Sequence, residues 1–360
     1  MQVIRDDGSL DPQLDPGLSI DHVVALYKAM VRTRVIDDRM EKIQRQGRIA
    51  FHVGSLGEEA AILGAVSAMR DQDWIVPCYR EVGALLWRGY PLQKYVDHMY
   101  GNAGDPVHGR QMPDHSFSRA HRYLSVSAPI GTQIPHAVGL AMAAKKRGLD
   151  ESAAVFFGDG ATSSNDFHAA MNFAAVYQAP VLFLCRNNGY AISLPVAQQT
   201  ATRTLAEKAA AYGVPAARVD GNDALAVWGA VRRGAERAAE DGGPTFIEMM
   251  TYRRGGHSTS DDPRLYRSEE EVESWGKADP LLKLRRHLLW RNAWNDELES
   301  EWQVRCDTEV KDCVRRAEEK PAPELRELFR DVYAEQPWHL EEQEAQSLAG
   351  PRSRDEESGS

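Results

Sequence analysis

Asp159 stands between two glycines in the stretch GDGATSSNDF, directly after the apolar run Ala153–Phe157. Flanking glycines let the backbone turn sharply and come close to a ligand. A carboxylate at the end of a buried run needs a partner. Twenty-six residues separate Gly160 from a second polar pair, Asn187-Asn188, in CRNNGYAIS. A carboxylate, a side-chain amide and nearby backbone carbonyls make a hard-oxygen set suited to Mg²⁺, which is usually completed by water and substrate phosphates. A glycine turn that opens a helix adds N–H groups for an anion. Together they predict a diphosphate held through a divalent cation. GDG alone is as readily a tight turn, and the second pair a polar loop; the spacing separates these readings.

The intervening residues divide into a short turn, a helix near 166–178, a turn at Ala179-Pro180 and a strand at Val181–Cys185. A helix of that length covers about 20 Å and the strand about 17 Å, so the helix carries the chain back along a sheet and the strand returns it. Asp159 and Asn188 are therefore expected at the carboxyl edge of adjacent parallel strands, where open α/β sheets bind ligands. Apolar runs at 153–157, 181–185, 216–219 and 245–250 alternate with helical patterns at 131–147, 166–178 and 223–240. That alternation predicts an α/β fold with a doubly wound parallel sheet. Helical periodicity also marks Ser19–Gln46 and Gly57–Met69, and charged amphipathic helices follow from about 269 to Glu335. The polar stretches 101–122 and 251–268 read as functional loops. Residues 1–17 read as a flexible arm and 341–360 as a disordered tail, which leaves 18–340 as a single α/β domain with helical extensions.

Forty-three basic against fifty-three acidic side chains give a net charge of −10, which argues against a nucleic-acid partner. The four cysteines, Cys78, Cys185, Cys306 and Cys313, form no CxxC pair and are too few for a disulfide framework. The opening MQVIRDDGSL has no apolar signal region. A cytoplasmic location is the expectation. Ser258 and Asp261 lie near His257, yet no GxSxG elbow supports a serine hydrolase, and no GxGxxG after a strand supports a nicotinamide dehydrogenase.

GDG followed by NN at this spacing resembles the thiamin diphosphate fingerprint. The blocks FHVGSLGEEA, CYREVG, HGRQMP, SAPIGTQIPHAVG, CRNNGYAIS, RVDGND, TYRRGGHSTSDD and FRDVYAEQPWHL, in this order from about residue 20 to 345, resemble the α subunit of the 2-oxo acid dehydrogenases (decarboxylating), in particular the branched-chain type. The resemblance implies that Asp159, Asn188 and the carbonyl of Tyr190 ligate Mg²⁺, while Gly160 and Ala161 cradle the diphosphate of thiamin diphosphate. Tyr79, Arg80 and Arg186 would face its oxygens. Ile130 would lie beneath the coenzyme, and Phe51, Tyr79 and Ile130 would line the acyl pocket. Ser127, Pro129, Thr132 and Gln133 would form a monovalent-cation site of the K⁺ type. His257 and Arg80 would act at the reacting centre; His257 lies in a polar loop just past a strand, and its charge switches near neutral pH. Ser258 and Ser268 match regulatory phosphorylation positions of mammalian relatives. Ser164-Asn165 replaces a common Glu-Gly, and Gly256 a common histidine.

The implied reaction is decarboxylation of a branched-chain 2-oxo acid such as 2-oxoisovalerate, followed by acyl transfer to the lipoyl group of an acyltransferase component. Pyruvate is the alternative substrate, and a non-catalytic scaffold the alternative role. Family enzymes take an activating glutamate from a second, pyrimidine-binding α/β domain, and this chain contains only one. Dependence on a β subunit, in an α2β2 assembly, is expected.

Overall fold

The computed structural model describes residues 1–330 and 332–350. Helices α1 (Ile20–Arg45) and α2 (Glu59–Ala68) precede strand β1 (Trp74–Val76). Helices α3 (Val82–Trp87), α4 (Leu92–Tyr100) and α5 (Gln133–Lys146) lead to β2 (Ala153–Gly158), α6 (Asn165–Tyr177) and β3 (Val181–Asn187). A small hairpin of β4 (Tyr190–Ala191) and β5 (Leu194–Pro195) follows, then α7 (Glu207–Ala210), β6 (Ala216–Asp220), α8 (Ala224–Ala239) and β7 (Thr245–Met250). Helices α9 (Glu269–Gly276), α10 (Pro280–Trp290), α11 (Asp296–Glu318) and α12 (Trp338–Ala349) come after the sheet.

The main sheet is all parallel, in the order β1-β2-β3-β7-β6. Every residue of β3 is buried, because helices cover both faces of a central parallel strand. On one face Phe157, Phe167, Phe183 and Phe246 pack with α5 and α6; on the other α2 and α8 cover Leu182, Leu184 and Ile247. The apolar runs and the helix between Asp159 and Asn188 lie where the sequence places them, to within about two residues. Ser164, one of the residues that departs from the family pattern, is the N-cap of α6: its hydroxyl accepts the Phe167 N–H at 3.2 Å. Strand β1 was not expected, since three residues before Pro77 show no period, yet it pairs in register with Ala153–Val155.

Helix α1 lies along α11, joined by Arg32–Glu309 and Arg39–Asp307 at 2.6 Å each. Just beyond α1, Arg48 pairs with Glu318 at 2.7 Å. Buried apolar side chains of α1, among them Met30 and Ile36, share one core with Val310 and Val314 of α11. No helix among the described residues is long and apolar enough to cross a membrane.

The two ends differ from expectation. Residues 1–17 are not a free arm: Val3 and Ile4 are buried, and both their N–H groups donate to Asp223 Oδ2 at 2.7 Å. Asp223 Oδ1 meanwhile caps α8, accepting from Leu225 and Ala226 at 3.1 and 3.0 Å. The Asp- and Pro-rich composition hid two apolar residues that a single carboxylate clamps. Asp223→Ala is expected to lower unfolding stability by about 2–4 kcal/mol, since it removes a helix cap and orphans buried donors. A urea melt measures this, and a loss below half a kilocalorie would show the clamp to be unimportant. At the other end, residues 341–349 belong to α12, because LEEQEAQSLA consists of good helix formers. Residues 351–360 of the expected tail lie outside the described residues.

Candidate active site

Parallel pairing sets Gly158 at the end of β2 opposite Arg186 in β3, so the chain leaves both strands at the same edge. Asp159 and Asn188, the first residues past the strands, are both buried there. Asn187 is taken into the scaffold: its Nδ2 donates to Glu248 Oε1 at 2.8 Å. Asn188 is thereby the member of the pair that can face a ligand. Its Oδ1 accepts the Tyr190 N–H at 3.3 Å, and its Nδ2 donates to Glu58 Oε1 at 3.0 Å.

Asp159 Oδ2 accepts from Gln199 Nε2 at 2.8 Å, whereas Oδ1 has no hydrogen-bond partner among the described residues. Burial pushes the carboxyl up to about 6, helped by the negative charge of Glu58. Gly160 lies against the hairpin after β3; a Cβ there would come within 2.7 Å of Ala191 Cβ. Only glycine lets the two ligand-bearing turns approach this closely. Ala161 is buried in the same turn.

Arg80 is buried and spans two loops. Its Nη1 donates to the Gly54 carbonyl at 2.6 Å, and its Nη2 donates to the His257 carbonyl at 2.6 Å and faces His257 Nδ1 at 3.2 Å. Tyr79 stands edge-on to the His257 ring, with centroids 5.9 Å apart. Burial, Arg80 and Arg253 depress the His257 imidazole to about 4, so it is neutral at physiological pH. An arginine can only donate, so Nδ1 is the accepting nitrogen and the proton sits on Nε2, a tautomer fixed by the hydrogen-bond network. The loop around His257 is tied down from behind: Arg267 donates to the carbonyls of Arg253, Arg254 and Gly255. Asp261 accepts the His257 N–H at 2.6 Å. Ser258 Oγ accepts from Ser260, and Ser268 caps α9.

Arg186 meets two buried glutamates, Glu58 at 2.5 Å and Glu81; only its Nε is without a partner among the described residues. The Tyr190 carbonyl receives a long contact of 3.4 Å from Arg253 Nη1. Ile130 is 47% exposed, a large apolar side chain presented to whatever fills the space above it. Phe51 is half-buried, beside His52. Thr132 Oγ1 donates to Ser127 Oγ at 2.7 Å and lies 3.0 Å from the Pro129 carbonyl. Gln133 Nε2 donates to the Phe156 carbonyl, while its buried Oε1 is unpartnered among the described residues.

Four residues with a part in this arrangement escaped sequence reasoning: Glu58, Glu81, Gln199 and Arg253. The glutamates carried a signal. Glu58 opens the apolar helix α2 and Glu81 precedes VGALLW, and acidic residues at the head of buried segments need cationic partners. Gln199 sits in an irregular polar loop and carried none.

Residues 27–326 match the family model described as the dehydrogenase E1 component. The chain is 42% identical over 341 residues to the human protein named 2-oxoisovalerate dehydrogenase subunit alpha, mitochondrial, covering 94% of this chain and 76% of the relative. It is 45% identical over 328 residues to subunit alpha 2 of Arabidopsis thaliana (91% and 70% covered) and 44% identical over 339 residues to the Caenorhabditis elegans subunit alpha (94% and 78%). All three relatives are named as mitochondrial, which overturns the cytoplasmic location expected from the cysteines and the first residues. Four buried free thiols require only a reducing compartment, and the cytoplasm is not the only one.

Proposed function

The chain belongs to the dehydrogenase E1 component family, and from that premise we propose that it is the α subunit of a branched-chain 2-oxo acid dehydrogenase, decarboxylating acids of the 2-oxoisovalerate type. The family implies thiamin diphosphate as coenzyme, a β subunit, and an acyltransferase component whose lipoyl group receives the acyl unit. An α2β2 assembly is part of the proposal. The observation that carries it is the Asp159–Asn188 pair at one sheet edge, with a buried carboxylate oxygen that no group among the described residues satisfies. That orphan oxygen disfavours a non-catalytic scaffold, which has no use for an uncompensated buried carboxylate.

The donor set fits Mg²⁺: Asp159, Asn188 Oδ1 and the Tyr190 carbonyl would hold it, all three being hard oxygens. The cradle that a Cβ at Gly160 would fill, together with Ala161, suits a diphosphate, with Tyr79, Arg80 and Arg186 as its polar wall. Ser127, Pro129, Thr132 and Gln133 Oε1 would hold K⁺. Bound thiamin diphosphate supplies the electron sink for the loss of CO₂. Arg80 holds the His257 ring by its Nδ1 edge and its carbonyl, so that neutral His257 keeps a proton on Nε2 to offer to developing negative charge. Ile130 and Phe51 would give the coenzyme and the acyl chain apolar contact and so exclude water.

The test compares kcat/KM for 2-oxoisovalerate and pyruvate with the chain reconstituted with its β subunit. A preference of at least about tenfold for 2-oxoisovalerate is expected, since a few buried methyl groups discriminate by that much; a pyruvate preference would overturn the substrate. The chain alone, with thiamin diphosphate and Mg²⁺, is expected to show no turnover, and robust turnover would overturn the need for a partner.

A further inference from the structure

Glu58 belongs to none of the proposed ligands or coenzyme contacts, yet it is fully buried beside them. Its two oxygens serve different neighbours. Oε2 receives Arg186 Nη1 at 2.5 Å, Oε1 receives Asn188 Nδ2 at 3.0 Å, and Arg80 Nε lies 3.8 Å away. A carboxamide has an accepting and a donating end, and only the oxygen can bind a cation. Asn188 on its own could turn its amide by half a rotation and offer NH₂ instead. With two guanidinium groups against it, Glu58 is an acceptor and takes the NH₂ end, which leaves Oδ1 on the other side, next to the Tyr190 N–H.

We infer that Glu58 is a positioning residue that selects which end of the Asn188 carboxamide is offered to the divalent cation. The inference rests on the metal reading given above and deepens it. It also explains why a carboxylate is buried at the head of α2, where its local sequence gives it no cap to make. Arg186 and Arg80 compensate its charge, so the three side chains form one support beneath the metal position.

The experiment uses the assembled enzyme with thiamin diphosphate present, titrated with Mn²⁺ while the free ion is followed by electron paramagnetic resonance. Removing the partner that orients a metal ligand lowers affinity by about 10–100-fold, and Glu58→Gln is expected to do so, because the new amide can donate as well as accept. The same substitution is expected to have the opposite sign in an Asn188→Asp background. A carboxylate at 188 has no wrong end and is repelled by Glu58, so Glu58→Gln there should raise Mn²⁺ affinity. Should Glu58→Gln fail to assemble, Glu58→Asp keeps the charge for Arg186 while withdrawing the oxygen from Asn188, and it too should weaken Mn²⁺. Equal losses in both backgrounds, or undiminished affinity in Glu58→Asp, would overturn the role of Glu58 while leaving the metal site standing. Failure of the unchanged enzyme to bind Mn²⁺ would overturn the metal reading itself.

Discussion

Asp159→Ala abolishes divalent-cation binding and at the same time raises the thermal midpoint of the metal-free chain. Both effects follow from one atom. Asp159 Oδ1 is buried with no partner among the described residues, and the carboxyl titrates at about 6 instead of 3.8. A shift of that size corresponds to roughly 3 kcal/mol of destabilisation when the group is ionised. Loss of the Gln199 hydrogen bond offsets part of it, leaving a net gain of about 1–2 kcal/mol for the alanine variant. The sign in pH is definite. A carboxyl raised in the folded state contributes stability that is fully present below about pH 4 and lost as pH rises through about 6. The stabilisation by alanine should therefore appear above pH 6 and vanish below pH 4. Protons compete with the metal for the same oxygen, so Mg²⁺ affinity of the unchanged chain should fall by about tenfold per unit below pH 6. Scanning calorimetry without metal, together with Mg²⁺ titration, checks both halves. An alanine variant that melts lower above pH 6, or still binds Mg²⁺, would refute the assignment.

His257→Ala is expected to lower kcat in the reconstituted complex by about 10²–10³-fold, the usual cost of removing one donor aimed at developing charge, while the dissociation constant for thiamin diphosphate changes far less. The pH profile separates this role from a general base. Because burial and Arg80 hold the imidazole near 4, the unchanged enzyme should show no histidine limb between pH 5.5 and 8. A group depressed in this way lowers stability as pH falls from its unfolded value, about 6.5, towards 4, so the alanine variant should resist acid unfolding better in that range. Steady-state kinetics against pH measures the first effect. A kcat limb near 6.5 that disappears with His257 would show a proton acceptor instead of a donor.

The strand–helix–strand between Asp159 and Asn188 was legible because its parts are extreme: β2 and β3 are apolar on both faces, and the helix between them has a proper cap and a single stripe. Periodicity and length suffice for such elements. The charge network beneath them was not legible. Glu58, Glu81 and Arg186 are far apart in sequence, and nothing local says which carboxylate meets which guanidinium. The packed N-terminal residues were hidden for the same reason, since the carboxylate that clamps Val3 and Ile4 is Asp223. The location was misjudged because free thiols report a redox state, and more than one compartment shares it.

The docking of α1 along α11 bears on how the molecule is made. The face of α1 that closes the core is translated early, while its mate emerges some 250 residues later. At about 5–20 residues per second this is a delay of tens of seconds. Throughout that interval α1 can pack on α2 and α3, but the part of its core that Val310 and Val314 complete stays open. A ribosome-bound chain stopped before α11 would therefore expose that apolar strip, although it already carries every residue of the parallel sheet.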